Sequence, residues 1–231
     1  MLEIQGLDKR YGKKHALIDF TMKFDVGVYG LLGPNGAGKS TLMNIVADVI
    51  NANSGEILID GVSRKDLGSK YREKIGYLPQ NVGLYQNFTA EETLRYFGTL
   101  RNVSKAIMDE RIDYCLEKVN LSKNKKDKVG SFSGGMKRRM AIAVTLVGNP
   151  DILIFDEPTV GLDPKERVRF RNLVMSIKKE KIIILSSHIV SDIDMVADEI
   201  IILKNGVVAS NFKNENVDVE KIYMDLYDEE D

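Results

Sequence analysis

Gly33-Pro34-Asn35-Gly36-Ala37-Gly38-Lys39-Ser40-Thr41 satisfies the pattern G-x-x-x-x-G-K-[ST], and the chemistry of that pattern is phosphate binding. A loop that wraps a phosphate turns its amides inward through conformations a side chain obstructs, hence the glycines. The apolar run 28–32 reads as a strand leading in. Leu42, Ile45, Val46 and Val49 read as a helical stripe leading out. The loop therefore ends at a helix N-terminus, where unpaired amides and about half a positive charge favour an anion. Lys39 is placed to reach the β- and γ-phosphates of ATP, and the Ser40 hydroxyl to ligate Mg²⁺. A tight turn without a ligand is the competing reading, and the strand and helix on either side argue against it.

A second cluster follows the apolar run Ile152-Leu153-Ile154-Phe155, which ends in Asp156-Glu157. An aspartate at the C-terminal end of a buried strand would face the phosphate loop, near the Mg²⁺ shell. Glu157 is suited to polarise an attacking water, since metal binding and base catalysis need different positions. Alone, such a pair reads equally as acids capping a strand end. A third cluster is Ser133-Gly134-Gly135. Ser133 reads as the N-cap of a helix starting near Gly135, or as part of a second anion site made of a hydroxyl, glycine amides and a helix dipole. The following Lys137-Arg138-Arg139 reads as a solvated basic face or, less readily, as a conformational latch.

The elements that must hold these residues are legible as short apolar runs at 2–7, 16–24, 27–32, 56–59, 75–77, 152–155, 182–186 and 199–204. Helical patterns appear at 39–50, 165–179 and 189–197. Near-continuous Ile/Leu runs indicate parallel strands covered on both faces, and their alternation with helices indicates an α/β fold. The early strands lack intervening helices and predict a small antiparallel addition. Residues 90–99, 106–120 and 135–148 are helical by period with no strand between them. They predict a helical subdomain, 88–148, inserted into a core made of 1–87 and 149–214. The segment 215–231 is mostly acidic and reads as a solvated, partly frayed tail.

The 231 residues, 43% hydrophobic and 29% charged, fit one large globular domain. Formal net charge is −1, so no global field calls for nucleic acid or an anionic membrane. No run approaches the about 20 apolar residues of a membrane span, and the N-terminus lacks a basic-then-apolar leader, so the expectation is a cytoplasmic chain. Cys115, the single cysteine, lies in the stripe Ile112, Cys115, Leu116, Val119 and reads as a core residue in a reducing compartment.

Over about residues 2–210 the chain resembles the ATP-binding-cassette (ABC) ATPases, with the diagnostic motifs in the family's order. Tyr11 matches the aromatic that stacks on adenine, and residues 33–41 match Walker A. Gln80, in Tyr77-Leu78-Pro79-Gln80, matches the Q-loop glutamine that touches metal or water. Ser133-Gly134-Gly135 matches the signature, Asp156-Glu157 Walker B, Gly161-Leu162-Asp163 the D-loop and His188 the switch histidine. Phe132 and Met136 stand where the usual signature has Leu and Gln. With Lys-Arg-Arg after Met136, the pattern resembles cassettes that pair with separate export-type membrane subunits. The resemblance implies an ABC transporter subunit with a P-loop fold that binds and hydrolyses ATP with Mg²⁺. Its nucleotide would lie between Walker A of one chain and Ser133-Gly134-Gly135 of a second, in a homo- or heterodimer. The dimer would sit beneath an integral membrane permease, at the inner face of the membrane. A soluble ABC-type ATPase and a non-hydrolysing regulatory cassette are the competing readings, and intact Glu157 and His188 weigh against the latter.

Overall fold

Ile152-Leu153-Ile154-Phe155 shows how the apolar runs are used: alternate residues enter two different cores. Ile152 and Ile154 pack into one, Leu153 and Phe155 into the other. A strand rich in large apolar residues on both faces is what a sheet covered on both sides requires. The same alternation holds for Ile182 and Ile184 against Ile183 and Leu185.

The computed structural model describes residues 1–227; residues 228–231, the end of the expected acidic tail, lie outside the described residues. The chain runs β1 (Leu2–Tyr11), β2 (Lys14–Phe24), β3 (Gly27–Leu32), α1 (Lys39–Val46), β4 (Ser54–Ile59), β5 (Val62–Ser63), α2 (Arg64–Leu67), α3 (Ser69–Glu73) and β6 (Ile75–Leu78). There follow α4 (Ala90–Leu100), α5 (Met108–Lys118), α6 (Gly134–Leu146), β7 (Ile152–Phe155), α7 (Pro164–Ile177), β8 (Ile182–Ser187), α8 (Val190–Asp194), β9 (Glu199–Lys204), β10 (Val207–Lys213) and α9 (Val219–Tyr227). One sheet has the order β10-β9-β3-β8-β7-β6, parallel except for the β9–β10 hairpin. The other, β2-β1-β4-β5, is antiparallel. This is the mixed α/β architecture expected of the sequence, with the antiparallel sheet and α1 on one face of the parallel sheet and most other helices on the opposite face.

Helices α4, α5 and α6 lie between β6 and β7 and pack on one another. α4 starts with a full capping box, the Thr89 Oγ1 accepting from the Glu92 amide and Glu92 accepting from the Thr89 amide. Cys115 is fully buried here, as its stripe predicts, and burial pushes its thiol up to about 11, against a smaller opposing effect of Arg111.

Two expectations need correction, and one strand was not foreseen. Helix α1 stops at Val46, not near Ile50: Asp48 takes φ 59°, and Val49 is 59% exposed outside the helix. The strand β10 escapes sequence reading because only alternate residues are partly covered, as suits an edge strand. Most consequentially, the segment after 214 is not simply a frayed tail. Val219 is buried, and Ile222, Tyr223, Leu226 and Tyr227 pack against the helix-side core. The Tyr227 hydroxyl donates to the Leu203 carbonyl at 2.8 Å, and the Lys204 ammonium to the Leu226 carbonyl at 2.8 Å. The acidic side chains disguise a helix whose apolar face is the stripe Val219, Ile222, Tyr223, Leu226. Deleting residues 215–231 should lower the melting temperature by at least about 4 °C, since burying Val219 alone is worth roughly 1.5–3 kcal/mol. An unchanged thermal unfolding curve would return the segment to the status of a solvated tail.

Candidate functional site

The glycine-rich loop hangs between β3 and α1 and is gripped from outside by two other segments. A Cβ on Gly33, whose φ is 148°, would fall 2.4 Å from the Leu203 carbonyl oxygen of β9. One on Gly38, at φ 113°, would fall 2.6 Å from the Ala16 carbonyl oxygen of β2. The turn after β9 closes the grip: the Gly206 amide donates to the Ala37 carbonyl at 3.0 Å, and the Ile18 amide to the Gly206 carbonyl at 2.9 Å. Glycine is demanded here by backbone-to-backbone approach as well as by φ. Helix α1 begins at Lys39 with its first amides uncapped by any side chain, facing the loop.

Tyr11, Pro34, Asn35, Gly36, Gly38, Ser40, Thr41 and Gln80 share one open cavity of about 170 Å³ with Lys39 and Glu157. Gly33 and Ala37 belong to the loop but do not line this cavity. The Lys39 side chain is 6% exposed; its ammonium donates to the Gly33 carbonyl at 2.5 Å and stands 4.0 Å from the Glu157 carboxylate. Its pKa is drawn down chiefly by burial, with Glu157 and Asp156 opposing.

Parallel pairing of β7 with β8 carries the acidic pair to the same edge. Asp156 Oδ1 accepts from Ser186 Oγ at 2.8 Å and from Ser40 Oγ at 3.2 Å. Ser186 Oγ in turn accepts from the Glu157 amide at 2.9 Å. Glu157, with φ 48°, points its carboxylate to within 3.0 Å of the His188 Nδ1. The histidine is 48% exposed and the glutamate side chain 8%. A carboxylate so enclosed, with an ammonium on one side and an imidazole on the other, can orient and deprotonate a water at the mouth of the cavity.

Ser133, Gly134 and Gly135 are not brought to this cavity. Ser133 caps α6, its Oγ accepting from the Met136 amide at 3.2 Å, and Gly134 opens onto a second cleft of about 290 Å³. Gln80 borders both clefts. Gly135 stands over Glu166, where a Cβ would meet the glutamate at 3.1 Å. The D-loop aspartate, Asp163, caps α7 by accepting from the Glu166 amide, with Pro164 at the first helical position.

The basic run after the signature is the clearest departure from the reading of a solvated face. Arg138 reaches from α6 along the wall of the second cleft and donates to five backbone carbonyls. They are Pro79 at 3.2 Å, Gln80 at 3.0 Å, Asp156 at 3.2 Å, Glu157 at 2.8 Å and Pro158 at 3.0 Å. Burial draws its pKa down, with Asp156 and Glu157 opposing. Arg139 pairs with Glu166 at 2.9 Å and caps the carbonyls of Val119 and Asn120. Sequence reasoning also missed Ser186, which ties the two acids together, and the buried bond from Thr159 Oγ1 to Asp192 at 2.6 Å. Serines and threonines in such places carry no spacing signal; only the folded chain brings Ser186 to the acids and Thr159 to Asp192.

The profile of a family described as "ABC transporter" matches residues 18–160. The lantibiotic transport ATP-binding protein SrtF of Streptococcus pyogenes is 40% identical over 212 residues, covering 90% of this chain and 89% of that protein. The linearmycin resistance ATP-binding protein LnrL of Bacillus subtilis (strain 168) is 37% identical over 209 residues, covering 89% of this chain and 67% of that one. ABC transporter A family member 8 of Dictyostelium discoideum is 40% identical over 217 residues, and the chain spans only 26% of its length. Among solved structures, the dimeric bacterial ABC transporter cassette MJ0796 is 27% identical, with a TM-score of 0.84 over 94% of this chain and all of that one. A post-hydrolysis form of the same cassette, bound to ADP and Pi, gives 0.83 over the same shares.

Proposed function

Since this chain belongs to the ABC transporter family and is one of its ATPases, we propose that it energises export by a separate membrane-spanning subunit, through ATP-driven closure of a cassette dimer. The observation that carries the ATPase part is Glu157, held between Lys39 and His188 at the mouth of the phosphate-loop cavity. Export is favoured by the relatives whose names speak of lantibiotic transport and linearmycin resistance.

In this reading ATP lies with its base on Tyr11 and its phosphates along residues 33–41. Lys9 lies over the ring of Tyr11 at 5.2 Å and donates to the Asn51 carbonyl, which steadies the aromatic for stacking. Lys39 neutralises charge at the β- and γ-phosphates. Glu157 takes the proton of the attacking water, and His188 holds the carboxylate and the γ-phosphate side of the site in register.

Mg²⁺ fits the donors present. Ser40 and Asp156 are hard oxygen ligands 3.2 Å apart, with Gln80 at the cavity wall. Among the described residues no group of three or more His, Cys, Asp or Glu forms a metal cage, which suits an ion that keeps waters and takes most of its ligands from the nucleotide. Held by Ser40 and Asp156, the ion would offset negative charge developing at the phosphate end of the cavity.

Closure would bring Ser133-Gly134-Gly135 of a second chain over the nucleotide. That accounts for a signature that caps a helix yet stays away from its own chain's phosphate loop. The lobe 88–148 would carry the motion to the permease, through the surface beside residues 80–88. There Tyr85 stacks on Phe88 at 5.0 Å while remaining 49% exposed. No helix among the described residues is long and apolar enough to cross a membrane, so the transport path would belong to that partner.

Two measurements test the proposal. The purified chain should release phosphate from ATP at steady state, and chain isolated from its native cell should co-purify with an integral membrane protein. A chain that hydrolyses ATP but never brings down a membrane protein would be a soluble ABC-type ATPase. One that binds ATP without releasing phosphate would be a regulatory cassette.

A further inference from the structure

The β1–β2 hairpin places a second basic side chain at the nucleotide cavity. The strands are joined through Gly12 and Lys13, so Tyr11 and Lys14 are direct cross-strand partners. Side chains opposite one another on an antiparallel pair emerge on the same face, about 5 Å apart at Cβ. Lys14 lines the same cavity as Tyr11 and the phosphate loop. Its ammonium comes within 3.4 Å of the position a Cβ would take on Gly36, at the crest of the loop.

Three neighbouring cations are already engaged. Lys9 donates to the Asn51 carbonyl at 2.6 Å, His15 pairs with Asp8 at 2.6 Å, and Lys39 is folded onto Gly33. Lys14 has no hydrogen-bond or ion-pair partner among the described residues. An ordinary surface lysine points into water. This one overhangs a loop whose amides and helix terminus already favour an anion.

We propose that Lys14 is a second phosphate-binding cation, acting on the α- and β-phosphates of the nucleotide. The placement follows from the order of groups along the cavity. Tyr11 marks the base end, and Lys39 with Glu157 marks the γ-phosphate end. Lys14 is paired with Tyr11 across the hairpin and reaches Gly36 of the loop, which links it to both the base end and the phosphates. The hairpin tip would then hold base and first phosphates together, through one ring and one ammonium. Both product and substrate carry those phosphates, so Lys14 would strengthen ADP and ATP alike and slow the release of ADP. The inference rests on the nucleotide reading given above.

The test is equilibrium titration of ATP and ADP into the wild-type chain, Lys14→Ala and Lys14→Arg, at low and high salt. Lys14→Ala should weaken both nucleotides by about fivefold at low salt, as for one exposed charge-assisted hydrogen bond, and the gap should shrink as salt rises. Lys14→Arg should retain most of the affinity. Unchanged affinities in Lys14→Ala would overturn the proposal, and so would a loss confined to ATP, which would move the contact to the γ-phosphate. A loss that salt does not reduce, with a lowered melting temperature, would mark Lys14 as a structural part of the hairpin and overturn it equally. If the wild-type chain bound neither nucleotide, the failure would lie with the nucleotide reading rather than with Lys14.

Discussion

Replacing Glu157 with Gln should leave ATP binding in place and reduce turnover at least about a hundredfold, the loss that accompanies removal of a general base. The carboxamide has the volume of the carboxylate and can still meet His188 Nδ1, now 3.0 Å from the acid, so the cavity keeps its shape. What disappears is the ability to take a proton. The Glu157 amide stays bonded to Ser186 Oγ in either case, so the left-handed backbone at φ 48° is held by the main chain rather than by the acid. The same variant should accumulate with ATP as a dimer, visible as a doubled mass in light scattering at high protein concentration. Near-wild-type turnover would remove Glu157 from its role, and a strictly monomeric ATP-bound variant would reject the head-to-tail site.

Arg138→Met should cost about 3 kcal/mol of stability or more and also depress turnover by roughly tenfold. The thioether keeps much of the packing volume but removes the arginine's bonds to five carbonyls, of which only that of Glu157 has another donor among the described residues, the Val160 amide at 3.4 Å. Unsatisfied, partly buried carbonyls account for the stability term. The turnover term arises because those carbonyls belong to the segments that carry Gln80, Asp156 and Glu157. Arg138→Lys should rescue little, since one ammonium cannot serve a fan of acceptors that a planar fork reaches at once. Chemical denaturation together with phosphate release would separate the two effects. A variant that loses stability yet keeps full turnover when folded would confine Arg138 to a structural part.

The chemistry was easier to read in the sequence than its supports. Gly33, Lys39 and Ser40 declare themselves because backbone approach, charge and a hydroxyl are needed at fixed spacing along one loop. Strands β7, β8 and β9 declare themselves because a sheet covered twice needs apolar residues without alternation. Ser186 and Arg138 do not, because their partners are backbone atoms and carboxylates far away in the chain, and nothing in local spacing marks them. The segment 215–231 misled for a different reason. Its acids dominate the composition, while the helix is specified by the few residues on its inner face, Val219 foremost. Likewise α1 looked longer than it is because Val49 continues the apolar period beyond the point where Asp48 turns the backbone out of the helix.

The grip on the glycine-rich loop bears on how the chain comes to life. Gly33 and Gly38 lie close under the carbonyls of Leu203 and Ala16, and the Gly206 amide bonds the Ala37 carbonyl. The loop therefore cannot be completed while the last strands of the sheet are still inside the ribosome, although its own residues emerge early. A nascent chain short of Gly206 would lack a competent nucleotide pocket. Gain of ATP affinity would thus follow the arrival of Gly206 on the loop, and a nucleotide present at that moment would help to lock the pocket.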